Sequence, residues 1–326
     1  MKRFILLLLI LCFLTGCYSG EKATDASMDF FAMDTYMSIS ANAVNAQQVV
    51  DESYEIVKEI ESAISRTDES SDIYRLNHSE GKIIEVSDIT YELLVTAIKC
   101  AQKTDGAFEP TICAVTDLWS IGTENARVPE EDEIIKALET VSYENIVLME
   151  SNQVQLLNGA QIDLGAVGKG YAADKIVGIY KEHDVVYGVI SLAGNIYVYG
   201  EKDDGSLWKI GIQDPDDTSE INITLQTEET SVVTTGAYER YFEENGVVYH
   251  HIFDSDTGYP TKKDIKSVTV LCDNSMLADI YATALFAMGY EDAIDFVESE
   301  DDMDVIIIRE NDDVYYSEDL IVTLGE

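Results

Sequence analysis

The chain has 326 residues, 46% of them hydrophobic, enough to fill one large domain or two ordinary ones, and its four prolines argue against a long Pro-rich linker. Its 62 acidic residues against 21 basic ones give a formal charge of −41. Such a surface repels nucleic acid and anionic lipid, so neither is expected as a partner, and acidity alone points to no other.

The N-terminus "MKRFILLLLILCFLTGC" has a basic start, an apolar run and a small-residue end, the pattern of an export signal. The run from Phe4 to Leu14 falls short of the ~20 residues a spanning helix needs. "LTGC" resembles the lipobox of bacterial lipoproteins, which implies residues 1–17 as signal and Cys17 as a lipidated anchor outside the cytoplasm, on the bacterial cell membrane. Loss of Lys2 and Arg3 with the signal leaves 19 basic residues against 62 acidic. Residues 18–27, polar and without apolar periodicity, are expected to be a flexible tether, and 28–326 the folded domain.

Apolar spacing predicts a helix over 50–64, a second from the cap Ser87 to the "TDG" at 104–106, and a third after Pro129. From Tyr143 the texture turns to short β-rich runs: "NIVLM", "QVQLL", "VYGVISL", "NIYVYG", "WKIGI", "INITLQT", "TSVVTT", "VVYHHIF" and "IKSVTVL". Helices are expected near 167–182, 275–288 and 291–299, with a last strand pair at "DVIIIRE" and "DVYYS". Strands in runs, with helices set apart, predict an α+β fold. Cys100, Cys113 and Cys272 remain once Cys12 and Cys17 are set aside; no CxxC occurs, so free thiols or one disulfide are expected.

Three stretches carry chemistry. "QIDLGAVGKGYAADKI", 161–176, is neither a Walker A loop, since Asp163 and Gly170 stand where Gly and Ser/Thr are needed, nor a G-x-G-x-x-G turn. Its glycines fit either close packing or an anion at a helix N-terminus, with Lys169 adding charge. "HHIFDSDTGYP", 250–260, fails as a calcium loop at Tyr259 and Ile265, and His250 and His251, successive on a strand, would point to opposite faces, one of them functional. In "MLADIYATALFAMG", Asp279 and Thr283 share a helical face, as a cation pair or as a first-turn acid and a threonine bonded to its own helix.

Together, "IDLGAVGKGYAAD", "HIFDSDTGYP" and "ADIYATALFAMG" resemble the signature blocks of the FAD:protein FMN transferase family, the ApbE-type lipoproteins. "MDTYMSI", "SDIYRLN", "GAFEPTI", "WKIGIQDP" and "TTGAYERYFEENGVVYHHIFD" follow in the family's order, so the resemblance spans nearly the whole mature chain. It implies a single α+β, T-fold-related unit with FAD in a cleft between a core and a smaller lobe. It also implies Mg²⁺-dependent transfer of FMN from FAD to a Ser or Thr hydroxyl of an exported or membrane electron-transfer protein, with AMP released. By the same resemblance Asp279, Thr283 and the carbonyl of Ala166 bind Mg²⁺; Met33, Ala107, Phe108, Glu109, Asp163, Lys169 and Ile252 contact FAD; and His251 is the base. Alternatives are a metal-dependent FAD pyrophosphatase and a non-catalytic flavin-binding lipoprotein.

Four blocks depart from the family pattern. Glu109 replaces an aspartate and is expected to extend an acidic arm towards the nucleotide. Ala193, Gly194 and Asn195 replace "GGD", Ala237 ends the block that usually ends in Asp, and Thr67 stands where a tyrosine often covers the flavin.

Overall fold

The computed structural model describes residues 22–325; the signal and Cys17 lie outside the described residues. The chain opens with a hairpin, β1 (Thr24–Ala32) and β2 (Thr35–Ala43), joined by Met33 and Asp34, both at positive φ (48° and 58°). This corrects the expected tether at 18–27: residues from Thr24 onward are already paired, Ser27 with Ser40 and Asp25 with Asn42. The stretch reads as loop because β1 is an edge strand with mostly exposed residues, and Asp25 anchors it by accepting from Asn42 Nδ2 (2.7 Å) and the Tyr187 hydroxyl (3.1 Å).

Three helices follow around a two-residue strand: α1 (Ala46–Ile64), α2 (Asp72–Asn77), β3 (Ile84–Glu85) and α3 (Asp88–Lys103). Ser87 caps α3 by accepting from Thr90 N, and the chain leaves the helix through Asp105 and Gly106 at positive φ. Then come α4 (Cys113–Trp119), α5 (Glu131–Leu138), β4 (Ile146–Met149), β5 (Gln153–Leu156) and α6 (Gly168–Glu182). The β-rich part runs through β6 (Tyr187–Leu192), β7 (Asn195–Gly200), β8 (Trp208–Gln213), β9 (Ile221–Thr227), β10 (Thr230–Gly236), β11 (Tyr241–Glu244), β12 (Val247–His250) and β13 (Ile265–Cys272). It closes with α7 (Ser275–Met288), α8 (Tyr290–Glu298), β14 (Asp304–Arg309), β15 (Val314–Tyr316) and β16 (Ile321–Leu324).

The main sheet, in the order β1-β2-β6-β7-β10-β13-β14-β15, is antiparallel throughout, as an α+β fold requires and a βαβ repeat would not give. The large core gathers α1, α3, α6 and α7 against it, through Val57, Ile60, Leu93, Ile176, Ile190, Val268 and Leu285. A second core joins the sheet to the three-stranded β16-β9-β8, where Leu225, Ile223 and Ile210 meet Val232, Leu271 and Ile306. Helix α7 is buried almost all round, which explains its near-continuous apolar sequence and isolates its acid, Asp279, inside the protein.

A third, smaller core sets Trp119 of α4 and Ile134 of α5 against the β11–β12 hairpin and Phe253. Trp119 packs on Tyr249, Phe253 and Tyr259 at 5.3–5.9 Å, and its indole N–H donates to Gly258 O at 2.9 Å. Cys100, Cys113 and Cys272 are buried free thiols, and burial raises the first to about 11. No helix among the described residues is long and apolar enough to cross a membrane.

Candidate active site

Helix α6 begins without a side-chain cap, leaving first-turn N–H groups to find other partners. Gly170 N donates to Asp279 Oδ2 at 2.9 Å, joining α6 to α7. Only glycine permits this approach: a Cβ on Gly170 would stand 2.3 Å from Ser275 O and 2.7 Å from Met276 Cα, both backbone atoms. The close-packing reading of the glycines holds. They allow close packing, and that packing aims a helix N-terminus at a carboxylate.

Asp279 is 4% exposed, and burial raises its pKa against the opposing pull of Lys169 and the Gly170 N–H. Gly170 N is the one hydrogen-bond donor to its carboxylate among the described residues. Thr283, one turn on and half-buried, donates to Asp279 O at 3.3 Å; this back-bond uses its proton and leaves the oxygen's lone pairs free. Beneath them Asp174 accepts from Ser275 N (2.8 Å) and Met276 N (3.0 Å), capping α7 from α6, with its pKa pushed up to about 6 by burial against those two bonds.

Asp163 is fixed on both oxygens: Gly165 N donates to Oδ1 (2.8 Å) and Arg66 Nη1 to Oδ2 (2.7 Å). Its N–H donates to Pro110 O, tying the loop to the 107–112 segment. Ala166 lies half-buried just before the first turn of α6. Met33, held in the left-handed region by the hairpin turn, donates its N–H to Glu61 Oε1 (2.6 Å), and its sulfur lies 3.9 Å from where a Gly168 Cβ would be.

The two histidines separate, though not as successive strand residues. Strand β12 ends at His250, which stacks edge-on to Phe286; its Nε2–H donates to Thr261 O (2.9 Å) and its Nδ1 accepts from Ile252 N, so both nitrogens serve structure. His251 lies in the bend just beyond, where its own N–H donates to Arg240 O at the end of the hairpin. Its Nδ1 donates to the same carbonyl at 3.2 Å, which leaves Nε2 as the acceptor. Burial lowers its pKa to about 4, against the Arg240 carbonyl, with the charges of Arg240, His250 and Lys169 adding to the shift. Lys169 acts on both His251 and Asp279, and among the described residues it has no ion pair of its own.

The 106–109 segment touches the histidine loop, with Ser255 Oγ donating to Gly106 O at 2.9 Å. Phe108 and Ile252, each 4% exposed, are core residues, and Ala107 is half-buried beside them. Glu109 corrects the acidic-arm expectation. Its Oε1 accepts from Thr111 N and Oγ1 and its Oε2 from Tyr143 N, so the carboxylate turns inward; burial raises its pKa against those bonds. Ala193 adopts φ 52° in the turn where the blocks have glycine, while Asn195 is fully buried with its Oδ1 accepting from Ser275 Oγ. Thr67 is exposed.

Among the described residues no three His, Cys, Asp or Glu side chains cluster as a metal cage. The donors at hand are one buried carboxylate, one hydroxyl and backbone carbonyls. This all-oxygen, carboxylate-poor set fits Mg²⁺ completed by substrate phosphates. Two surface hollows lie elsewhere, one of about 470 Å³ between β1, β6 and Trp208 and one of about 390 Å³ by residues 76–81 and 156–161, and neither carries these groups. Sequence reading missed Arg66 and Asp174. Arg66 sits in a turn without periodicity, whereas Asp174, at the end of "GKGYAAD", shares its helix with the glycines it supports.

The sequence profile of the ApbE family matches residues 33–307. The FAD:protein FMN transferase of Treponema pallidum (strain Nichols) is 32% identical over 327 residues, covering 94% of this chain and 90% of that protein. The one from Klebsiella pneumoniae (strain 342) is 32% identical over 268 residues, covering 81% and 83%. The crystal structure of the ApbE protein of Thermotoga maritima superposes with a TM-score of 0.84 at 33% identity, covering 90% of this chain and 97% of that one.

Proposed function

Since this chain belongs to the ApbE family and is a transferase of that type, we propose that it moves FMN from FAD to a Ser or Thr hydroxyl of an acceptor protein, releasing AMP. The observation that carries this reading is the Gly170–Asp279 junction: a helix N-terminus, a buried carboxylate and Lys169, which has no ion pair among the described residues, meet where a pyrophosphate needs positioning and charge relief.

In the proposed reaction the acceptor oxygen forms a bond to the phosphorus on the FMN side of FAD. The bond between that phosphorus and the bridging oxygen breaks, and the electron pair leaves with AMP. His251 Nε2 takes the hydroxyl proton, its tautomer fixed by Nδ1–H donation to Arg240 O. Lys169 faces the pyrophosphate, and the 163–168 loop, with Met33 beside Gly168, lines the nucleotide's path. Asp279, Thr283 and the Ala166 carbonyl are the groups that would hold Mg²⁺, which when bound supplies charge neutralisation on the phosphate oxygens. Phe108 and Ile252 contribute packing under the flavin nucleotide.

The acceptor we propose is an exported subunit of a membrane redox complex, reached by an enzyme anchored through a lipid on Cys17. The test is to incubate the chain with FAD, Mg²⁺ and a flavin-acceptor domain. A covalent fluorescent band is expected, and its absence while an established transferase labels the same domain overturns the reading. The exposed Thr67, small where a tyrosine would cover the flavin, favours water as a second acceptor, giving FMN and AMP. Free FMN formed without acceptor at a rate rivalling transfer would support that variant.

A further inference from the structure

Arg66 belongs to none of the groups assigned above, yet it ties three parts of the molecule together. It lies in the turn after α1, one residue before Thr67. Its Nη1 donates to Asp163 Oδ2 at 2.7 Å, in the loop that leads into α6, and its Nη2 pairs with Asp117 on α4 of the smaller core. The guanidinium and the Asp163 side chain are largely covered (29% and 23% exposed), whereas Asp117 is open at 57%. The Asp163 leg is thus the better shielded of the two.

Two consequences follow for a loop that must receive a pyrophosphate. With Oδ2 on Arg66 and Oδ1 on Gly165 N, the Asp163 side chain is held on both oxygens and ties down the backbone at Gly165. In a chain of charge −41, Arg66 also pairs with two carboxylates and offsets one of their two negative charges beside the loop. We infer that Arg66 is a positioning residue for FAD, aligning Asp163 and the 163–166 loop and offsetting their charge, without taking part in bond making or breaking. This rests on the flavin-transferase reading.

The test is FAD binding by the full chain, followed by flavin fluorescence anisotropy, with transfer kinetics at varied FAD and thermal unfolding alongside. Arg66→Gln is expected to weaken FAD binding and raise KM for FAD about tenfold to a hundredfold, with kcat at saturating FAD within about threefold of the parent. Arg66→Lys, which can engage one carboxylate but not bridge two, should recover part of the loss, and Asp117→Ala should leave FAD binding within about twofold. Should Arg66→Gln not fold, Arg66→Lys alone decides by the same split. FAD binding by Arg66→Gln within about twofold of the parent, or a fall in kcat at unchanged KM, overturns the inference alone. Failure of the parent chain itself to bind FAD overturns the flavin reading together with it.

Discussion

Gly170 N and Asp279 Oδ2 stand 2.9 Å apart across the contact of α6 and α7, joining residues separated by 109 positions. The bond exists because nothing but hydrogen occupies the Gly170 side-chain position, where a Cβ would stand 2.3 Å from Ser275 O and 2.7 Å from Met276 Cα. Both obstacles are backbone, which cannot rotate aside. Gly170→Ala is therefore expected to destabilise the fold by about 1–3 kcal/mol, through overpacking and loss of the Asp279 contact, and to cut transfer. Urea unfolding measures the first, and an unchanged midpoint with full activity would refute this account of the junction.

Asp279→Ala removes the one buried carboxylate at the junction. Transfer is expected to be lost at any Mg²⁺ concentration, while FAD binding through the 163–169 loop and Met33 persists. Treatment of the parent with a chelator should have the same effect and be reversed by added Mg²⁺. Turnover surviving in the variant would move the metal away from α7.

His251→Ala should lower kcat by about 10²–10⁴-fold, with little change in KM for FAD. With its pKa lowered to about 4 by burial, the imidazole is neutral throughout ordinary working pH, so the rate limb due to this group should appear only as pH falls towards 4. The unfolded chain, with an ordinary value near 6.5, binds more protons between those limits; the associated stability is present in full above about 6.5 and is lost as pH falls through about 4. A limb centred near 6.5 in the pH dependence of kcat/KM would show that His251 is not held in this environment.

Glu109→Ala leaves the N–H groups of Thr111 and Tyr143 without their acceptor. The expected cost is about 1–3 kcal/mol of stability, read by thermal unfolding. If the carboxylate instead reached the nucleotide, KM for FAD would change with stability untouched.

The elements legible in the sequence were those whose pattern is set by burial on one side. α1 shows its apolar stripe, α3 its Ser87 cap, α7 its apolar run, and β13 and β14 their β-branched core residues. The hairpin at 24–43 escaped because half of its first strand faces solvent at a sheet edge, and α2 and α4, at six and seven residues, are too short for periodicity to speak. At the site, the motif residues were legible as types but not as neighbours. That Asp163 answers to Arg66, that Asp174 caps another helix, and that Glu109 faces inward depend on contacts spanning from two residues to about a hundred, which spacing alone does not encode.

Strand β2 pairs with β6 at Ser40 and Val189, residues 149 apart, and the groups gathered at the junction run from Met33 to Thr283. During synthesis, then, the N-terminal hairpin has no neighbour on its inner edge until β6 has been made, and the nucleotide loop has no opposing carboxylate until α7 follows. Long-range antiparallel pairing of this kind slows folding and leaves strand edges open meanwhile. A chain halted before residue 275 would carry most of the signature blocks and yet lack Asp279 and Thr283, and activity that depends on them should switch on abruptly with chain length.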